Sequence, residues 1–198
     1  TNPFVCQWWA KCPEDEEDEQ YKGWYMYREI YTSHMLVEHL AKRIKSFQDP
    51  VIDTFADWDA EDRATLEEKG VITTLAAKEI GSGIQTTYDL FGENRIHFFS
   101  EATIDQDPLL LDSNKPASTV EELSNYRWPH AQQRDKNPKE VPVPKDNHGM
   151  DAMRYLFQTL LGEPDPQHVS FKRETSRQGN ATRNWGNNLM LVRNYRGL

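Results

Sequence analysis

The sequence predicts an α/β protein with a mixed β-sheet flanked by helices, and three observations carry that prediction. Two aromatic, strand-like segments stand on either side of an acidic loop. Helical and strand-like patterns then alternate from Met35 to Phe99. One long helix with a single apolar face follows near residue 150. A hairpin followed by alternating elements calls for a sheet holding both parallel and antiparallel pairs.

Phe4 to Ala10 (FVCQWWA) is aromatic and apolar, as a strand requires. Glu14 to Glu19 is an unbroken run of six acids, and with Gly23 it reads as an exposed, self-repelling loop. Trp24 to Tyr31 forms the return strand, antiparallel to the first. Ser33 is placed to cap a helix from Met35 to Phe47, where Leu36, Leu40, Ile44 and Phe47 recur at helical spacing before Pro50. Val51 to Ala56 is a third strand and ends at Asp57. Ala60 to Lys69 is a helix stopped by Gly70, which suits a left-handed closing position. Val71 to Leu75 reads as a short strand, Gly83 to Leu90 as a helix and Arg95 to Phe99 as a fifth strand. Glu101 to Pro144 is less regular. It holds a short helix at Val120 to Tyr126 capped by Ser118 or Thr119, and then Pro129, Pro138, Pro142 and Pro144 as breakers. Asn147 to Leu161 is the last helix, with Met150, Met153, Phe157 and Leu160 on its apolar face. Residues 1–162 thus form one unit, and 163–198 read as a polar, basic, flexible tail.

The chain of 198 residues carries 23 basic and 32 acidic side chains, a net charge of −9. The balance is uneven. Residues 163–198 hold six bases and three acids, so the first 162 carry 17 − 29 = −12. An acidic total argues against nucleic acid as a partner unless carboxylates hold metal ions, because phosphate binding rests on Lys and Arg. No apolar run reaches the ~18 residues of a membrane span, and no charged-then-apolar leader opens the chain. Cys6 and Cys12 alone make neither a disulfide framework nor a four-thiolate zinc site, and a reducing compartment is expected. The chain opens on Thr1 and enters a strand almost at once, which reads as a fragment or a processed product.

Two places carry chemistry. His148 and Asp151 are three residues apart at the start of the last helix, so both lie on one face of its first turn, where the helix dipole favours a carboxylate. Carboxylate and imidazole together are a common way to hold Mg²⁺ or Mn²⁺ with open positions. An ordinary acidic helix start is the alternative. Asp57 closes an apolar strand, and in open α/β sheets functional groups gather beyond the carboxyl ends of strands. Its neighbours Asp53, Asp59, Glu61 and Asp62 read as solvated charge. Trp8, Trp9, Trp24, Tyr25 and Tyr27 read as sheet packing rather than base-stacking groups. His34, His39, His97, His130 and His168 lack ligand spacing.

The string His148-Gly149-Met150-Asp151-Ala152-Met153-Arg154-Tyr155 resembles the closing helix motif of the large terminase subunit of tailed bacteriophages, H-x-x-D-A-x-R-Y. Tyr27-Arg28-Glu29-Ile30-Tyr31, Ala56-Asp57-Trp58-Asp59 with the following helix, and Ala77-Lys78-Glu79-Ile80 with Gly83-Ile84-Gln85 resemble further segments of that family, in order, from about residue 3 to 161. The resemblance implies a ribonuclease-H-like nuclease domain. Its acidic cluster would bind two Mg²⁺ or Mn²⁺ ions and cut double-stranded viral DNA during packaging, in the host cytoplasm, beside the portal protein and the small terminase subunit. By the same resemblance Asp57 is the acid at the second strand end, Asp151 the acid of the last helix and His148 its assistant, with Asp146 near enough to contribute. Lys78 would contact DNA phosphate or pair with the acids. The family's domain opens with a central strand ending in an acid, as D-x-G, ahead of a segment like Asn2-Pro3-Phe4-Val5. That strand and the family's ATPase part are expected to be missing, and no G-x-x-x-x-G-K-[ST] loop is present. Gly81-Ser82-Gly83 reads as a turn. Glu29 is a possible substitute ligand or else an exposed charge. Three readings follow: a metal-dependent endonuclease, an impaired remnant that only binds DNA or the portal, and another ribonuclease-H-like nuclease such as a resolvase, which the ordered strings disfavour.

Overall fold

The computed structural model describes residues 3–13, 15–57, 60–126, 146–162 and 188–194. Seven strands form one mixed sheet: β1 (Phe4–Lys11), β2 (Trp24–Thr32), β3 (Asp53–Ala56), β4 (Thr74–Leu75), β5 (Ile96–Phe98), β6 (Thr103–Gln106) and β7 (Asn188–Asn194). Among the described residues six helices flank it: α1 (Val37–Ser46), α2 (Ala60–Glu68), α3 (Ile80–Gly92), α4 (Pro108–Asp112), α5 (Thr119–Leu123) and α6 (His148–Leu161). The order across the sheet is β4-β3-β7-β1-β2-β5, with β6 also paired to β2.

The hairpin forms as its sequence requires. β1 and β2 pair antiparallel from Phe4 opposite Thr32 to Lys11 opposite Trp24. The register slips at Trp8 and Trp9, which face Arg28 and Met26, so Tyr27 is an extra residue and β2 is bulged there. Both faces of β1 are buried. Phe4, Cys6, Trp8 and Ile30 pack on one side with Leu40, Ala41 and Ile44 of α1, Leu66 of α2, and Val71. Val5, Trp9 and Met26 pack on the other with Met150, Met153, Leu156 and Phe157 of α6. The ring of Phe157 meets Trp9 and Trp24 edge-on, at centroid distances of 5.2 and 5.7 Å. The aromatics of β1 and Trp24 are therefore packing groups, as their sequence suggested.

Several elements depart from their predicted bounds for visible reasons. Ser33 does not cap α1. Its backbone N–H (2.6 Å) and hydroxyl both donate to Asp107, and α1 starts two residues later than predicted, at Val37. Gly81 to Gly83 lie inside α3 rather than in a turn, and Gly83 packs against Arg154 of α6. The irregular stretch after Glu101 contains β6 and α4. Asp107 caps α4, its side chain accepting from Leu109 N–H at 2.9 Å, and Pro108 occupies the first helical position, which has no use for an N–H. Ser118 caps α5 as predicted. Gly70 closes α2 at φ +83°, with Val71 N–H bonded back to the Leu66 carbonyl.

The centre of the sheet departs most from expectation. β7 runs between β1 and β3, parallel to β1 and antiparallel to β3. Unpaired edges on β1 and β3 would leave backbone groups without partners inside the sheet, and the β7 backbone satisfies both. Asn188–Asn194, within the segment expected to be a tail, is a strand. The remainder of 163–198, the prolines from 129 to 144, His130 and His168 lie outside the described residues.

Candidate acidic site at the end of β3

Asp57 leaves the C-terminal end of β3 pointing into the protein, with its side chain only 1% exposed. Lys78, three residues after the end of the exposed edge strand β4, reaches back and its ammonium forms an ion pair with Asp57 Oδ1. The two ends of this pair differ, because the Lys78 side chain is 42% exposed. The Lys78 ammonium is the partner of Oδ1, acting on it both as a hydrogen-bond donor and as a charge. Burial pushes the Asp57 carboxyl above its ordinary range. Lys78 and a hydrogen bond from Tyr155 pull it back, and the charge of Asp151 adds to the upward push.

Asp151 comes from the first turn of α6. One oxygen accepts from Arg154 Nη2 at 3.0 Å and the other from Asn147 Nδ2 at 3.1 Å. Burial raises its carboxyl too, opposed by Arg154 and His148. Arg154 is almost wholly buried. Its other amino group, Nη1, donates to the carbonyl of Glu79 at 3.2 Å, and this ties α6 to the segment that carries Lys78. Burial raises the Tyr155 hydroxyl, and the charges of Asp151 and Asp57 both add to that push. Asp57 and Asp151, 94 positions apart in the chain, thus share one electrostatic neighbourhood.

His148 is in the same turn as Asp151. Burial lowers its imidazole while Asp151 and Asp146 oppose that, leaving the neutral ring favoured. Asp146 adopts φ +49° just ahead of α6, a conformation Asp tolerates better than most residues, and its charge acts on His148 and Tyr31.

Glu29 is neither a substitute ligand nor an exposed charge. It is fully buried and accepts from Thr119 N–H (3.1 Å), the Thr119 hydroxyl, the Thr103 hydroxyl (3.0 Å) and Gln7 Nε2 (3.4 Å). All of its acceptor capacity is engaged in joining β1, β2, β6 and α5.

Arg154, Tyr155 and Asn147 were given no role from sequence. Spacing offered the clue, because Arg154 and Tyr155 lie three and four residues beyond Asp151, on the same helical face.

One buried carboxylate, Asp57, and one half-buried, Asp151, are oxygen donors of the kind a hard cation such as Mg²⁺ or Mn²⁺ takes, one or two at a time, completing its shell with water. Among the described residues, no three His, Cys, Asp or Glu side chains come together as a metal-binding group. The described residues thus offer two carboxylates here and no third such ligand beside them.

Comparison with known proteins places the architecture. The chain superposes on the large terminase from a thermophilic bacteriophage, with a TM-score of 0.53 and 16% identity over 81% of this chain. The ADP complex of that terminase gives a TM-score of 0.52 at the same identity and coverage. This chain spans 41% of the terminase's length, and the likeness is one of fold: a mixed sheet flanked by helices, matching part of a large terminase. No protein-family model matches the chain, and no curated protein does.

Proposed function

We propose that this chain is the nuclease part of a phage-type large terminase, and that Asp57 and Asp151 hold a divalent cation for cutting double-stranded DNA during packaging. The observation that supports the reading is that buried Asp57, at the carboxyl end of β3, feels the charge of half-buried Asp151, on a fold similar to part of a large terminase. Fold likeness alone would not suffice, because one fold hosts many activities.

In this reading Asp57 and Asp151 supply the oxygen ligands and His148, kept neutral, assists from the same helical turn as Asp151. Asp146 is a further candidate ligand from the residue before the helix cap. When bound, Mg²⁺ or Mn²⁺ would neutralise phosphate charge and favour hydroxide as the attacking group. Arg154 orients Asp151 through a fixed N–H···O bond, and Tyr155 orients Asp57. Lys78, half-exposed beside Asp57, would contact DNA phosphate. A second ion, expected from the resemblance, would need a carboxylate beyond those described. The portal protein, the small terminase subunit and assembly in the host cytoplasm belong to the same proposal.

One observation favours the second reading, an impaired domain that binds DNA or the portal without cutting: the absence of a third acidic, histidine or cysteine ligand among the described residues. Plasmid nicking in Mn²⁺ separates the two. The nuclease reading expects relaxation of supercoiled DNA, and a loss of more than about 100-fold in Asp57→Ala and in Asp151→Ala, since even outer-shell partners cost up to that much. Cleavage retained by both variants would remove these residues from the site. Absence of cleavage with retained DNA binding would favour the impaired domain.

A further inference from the structure

We infer that Lys78 is a resident counter-ion for Asp57, occupying the place of a divalent cation until one arrives and displaces it. The inference rests on the metal-holding reading above and adds a gate to it.

The ion pair is lopsided. Asp57 is fixed at a strand end with its side chain 1% exposed, whereas Lys78 is 42% exposed and follows a strand of only two residues. A buried carboxylate without a positive partner is costly, so the resting protein needs a cation there. Arg154 cannot provide it. Its guanidinium is committed to Asp151 and to the carbonyls of Lys78 and Glu79. Lys78 is suited to leave, having a flexible four-carbon stem, a compact ammonium and solvent at its back. The oxygen it covers is the one a metal would take.

Displacement has a quantitative consequence. A site open only part of the time binds more weakly by the open fraction. A pair closed about ten to one would weaken the apparent affinity about tenfold. Removing the ammonium should restore that factor.

The test is Mn²⁺ binding, read as loss of the free-ion paramagnetic signal, in wild type, Lys78→Met, Lys78→Arg and Asp57→Asn. Lys78→Met keeps the stem and removes the charge, and it should bind Mn²⁺ about tenfold tighter, near the range between exposed and buried pairs. Lys78→Arg should stay within about threefold of wild type, since a cation remains. Thermal unfolding gives a second readout, in which Mn²⁺ should raise the Tm of Lys78→Met more than that of wild type. Equal or weaker binding by Lys78→Met, with binding lost in Asp57→Asn, would overturn the exchange and leave the metal site standing. Binding unaffected by Asp57→Asn, or absent from wild type and Lys78→Met alike, would overturn the metal reading and this inference with it.

Discussion

Two regions of this molecule bury carboxylates, and they treat them in opposite ways. Glu29, inside the sheet, accepts from four donors on three other elements and has no spare capacity. Beside it, Gln7 donates to Thr119 Oγ1 (2.6 Å) and to the carbonyl of Gly149 (3.0 Å), and accepts from Trp9 Nε1 (3.1 Å). Glu122 repeats the pattern, taking the Tyr31 hydroxyl and the Met150 N–H (2.8 Å). This network fastens the start of α6 to β1, β2 and α5. Asp57, by contrast, relies on Tyr155 and on one cation at the tip of a half-exposed chain. A saturated buried network holds elements rigidly, whereas an incompletely satisfied one leaves free energy for a ligand to recover. The first region positions the second, because α6 carries Asp151.

Perturbing the saturated network should give the largest effects. A Cβ at Gly149 would lie 2.8 Å from Thr119 Cβ and 2.9 Å from its Cα, and neither atom can swing away. Gly149→Ala should cost about 3 kcal/mol or more in urea unfolding, as forced overpacking does. Titration of the same network comes next. Burial raises the Glu122 carboxyl to about 8 against the pull of Tyr31 and the Met150 amide. The folded state therefore holds a proton that the unfolded chain releases near its ordinary value of ~4.5. That contribution is complete below the unfolded value and is lost as pH rises through the folded one. Stability should fall by about 3 kcal/mol from pH 5 to pH 8, and Glu122→Gln should flatten that part of the curve.

A matched pair of substitutions then compares the two regions directly. Glu29→Gln places amide hydrogens against existing donors and should cost about 2–3 kcal/mol in urea unfolding. The corresponding change at the site, Asp57→Asn, removes a poorly compensated charge and should alter stability by less than about 1 kcal/mol. Similar costs for the two variants would erase the distinction between the regions. The smallest change expected is at Arg43, which forks onto Asp105 at the surface (2.9 and 3.1 Å). Arg43→Ala should change unfolding stability by no more than about 0.5 kcal/mol, less still in high salt.

Much of the architecture was legible because it is local. The hairpin follows from two aromatic strands around an acidic turn, α2 from its closing Gly70, and α6 from the spacing of Met150, Met153 and Phe157. Thr103 to Asp112 was missed because β6 alternates half-buried with exposed residues, and α4 is one short turn and a half whose Asp107-Pro108 start reads as a loop. β7 escaped because strand pairing across almost the whole chain has no local signature, and Asn188 to Asn194 follows a polar, glycine-containing run. At the site, strand-end logic singles out Asp57 and first-turn spacing singles out Asp151, but neither rule states that the charge of one acts on the other. Glu29 was misjudged because its polar partners lie 22 to 90 positions away in sequence.

The account stands most directly on divalent-cation binding by the two acids together. Paramagnetic titration of Mn²⁺ against wild type, Asp57→Asn and Asp151→Asn measures it without requiring catalysis. One ion bound per chain, lost in each single variant while both remain folded, is the predicted result. Wild-type affinity surviving in either variant would contradict it.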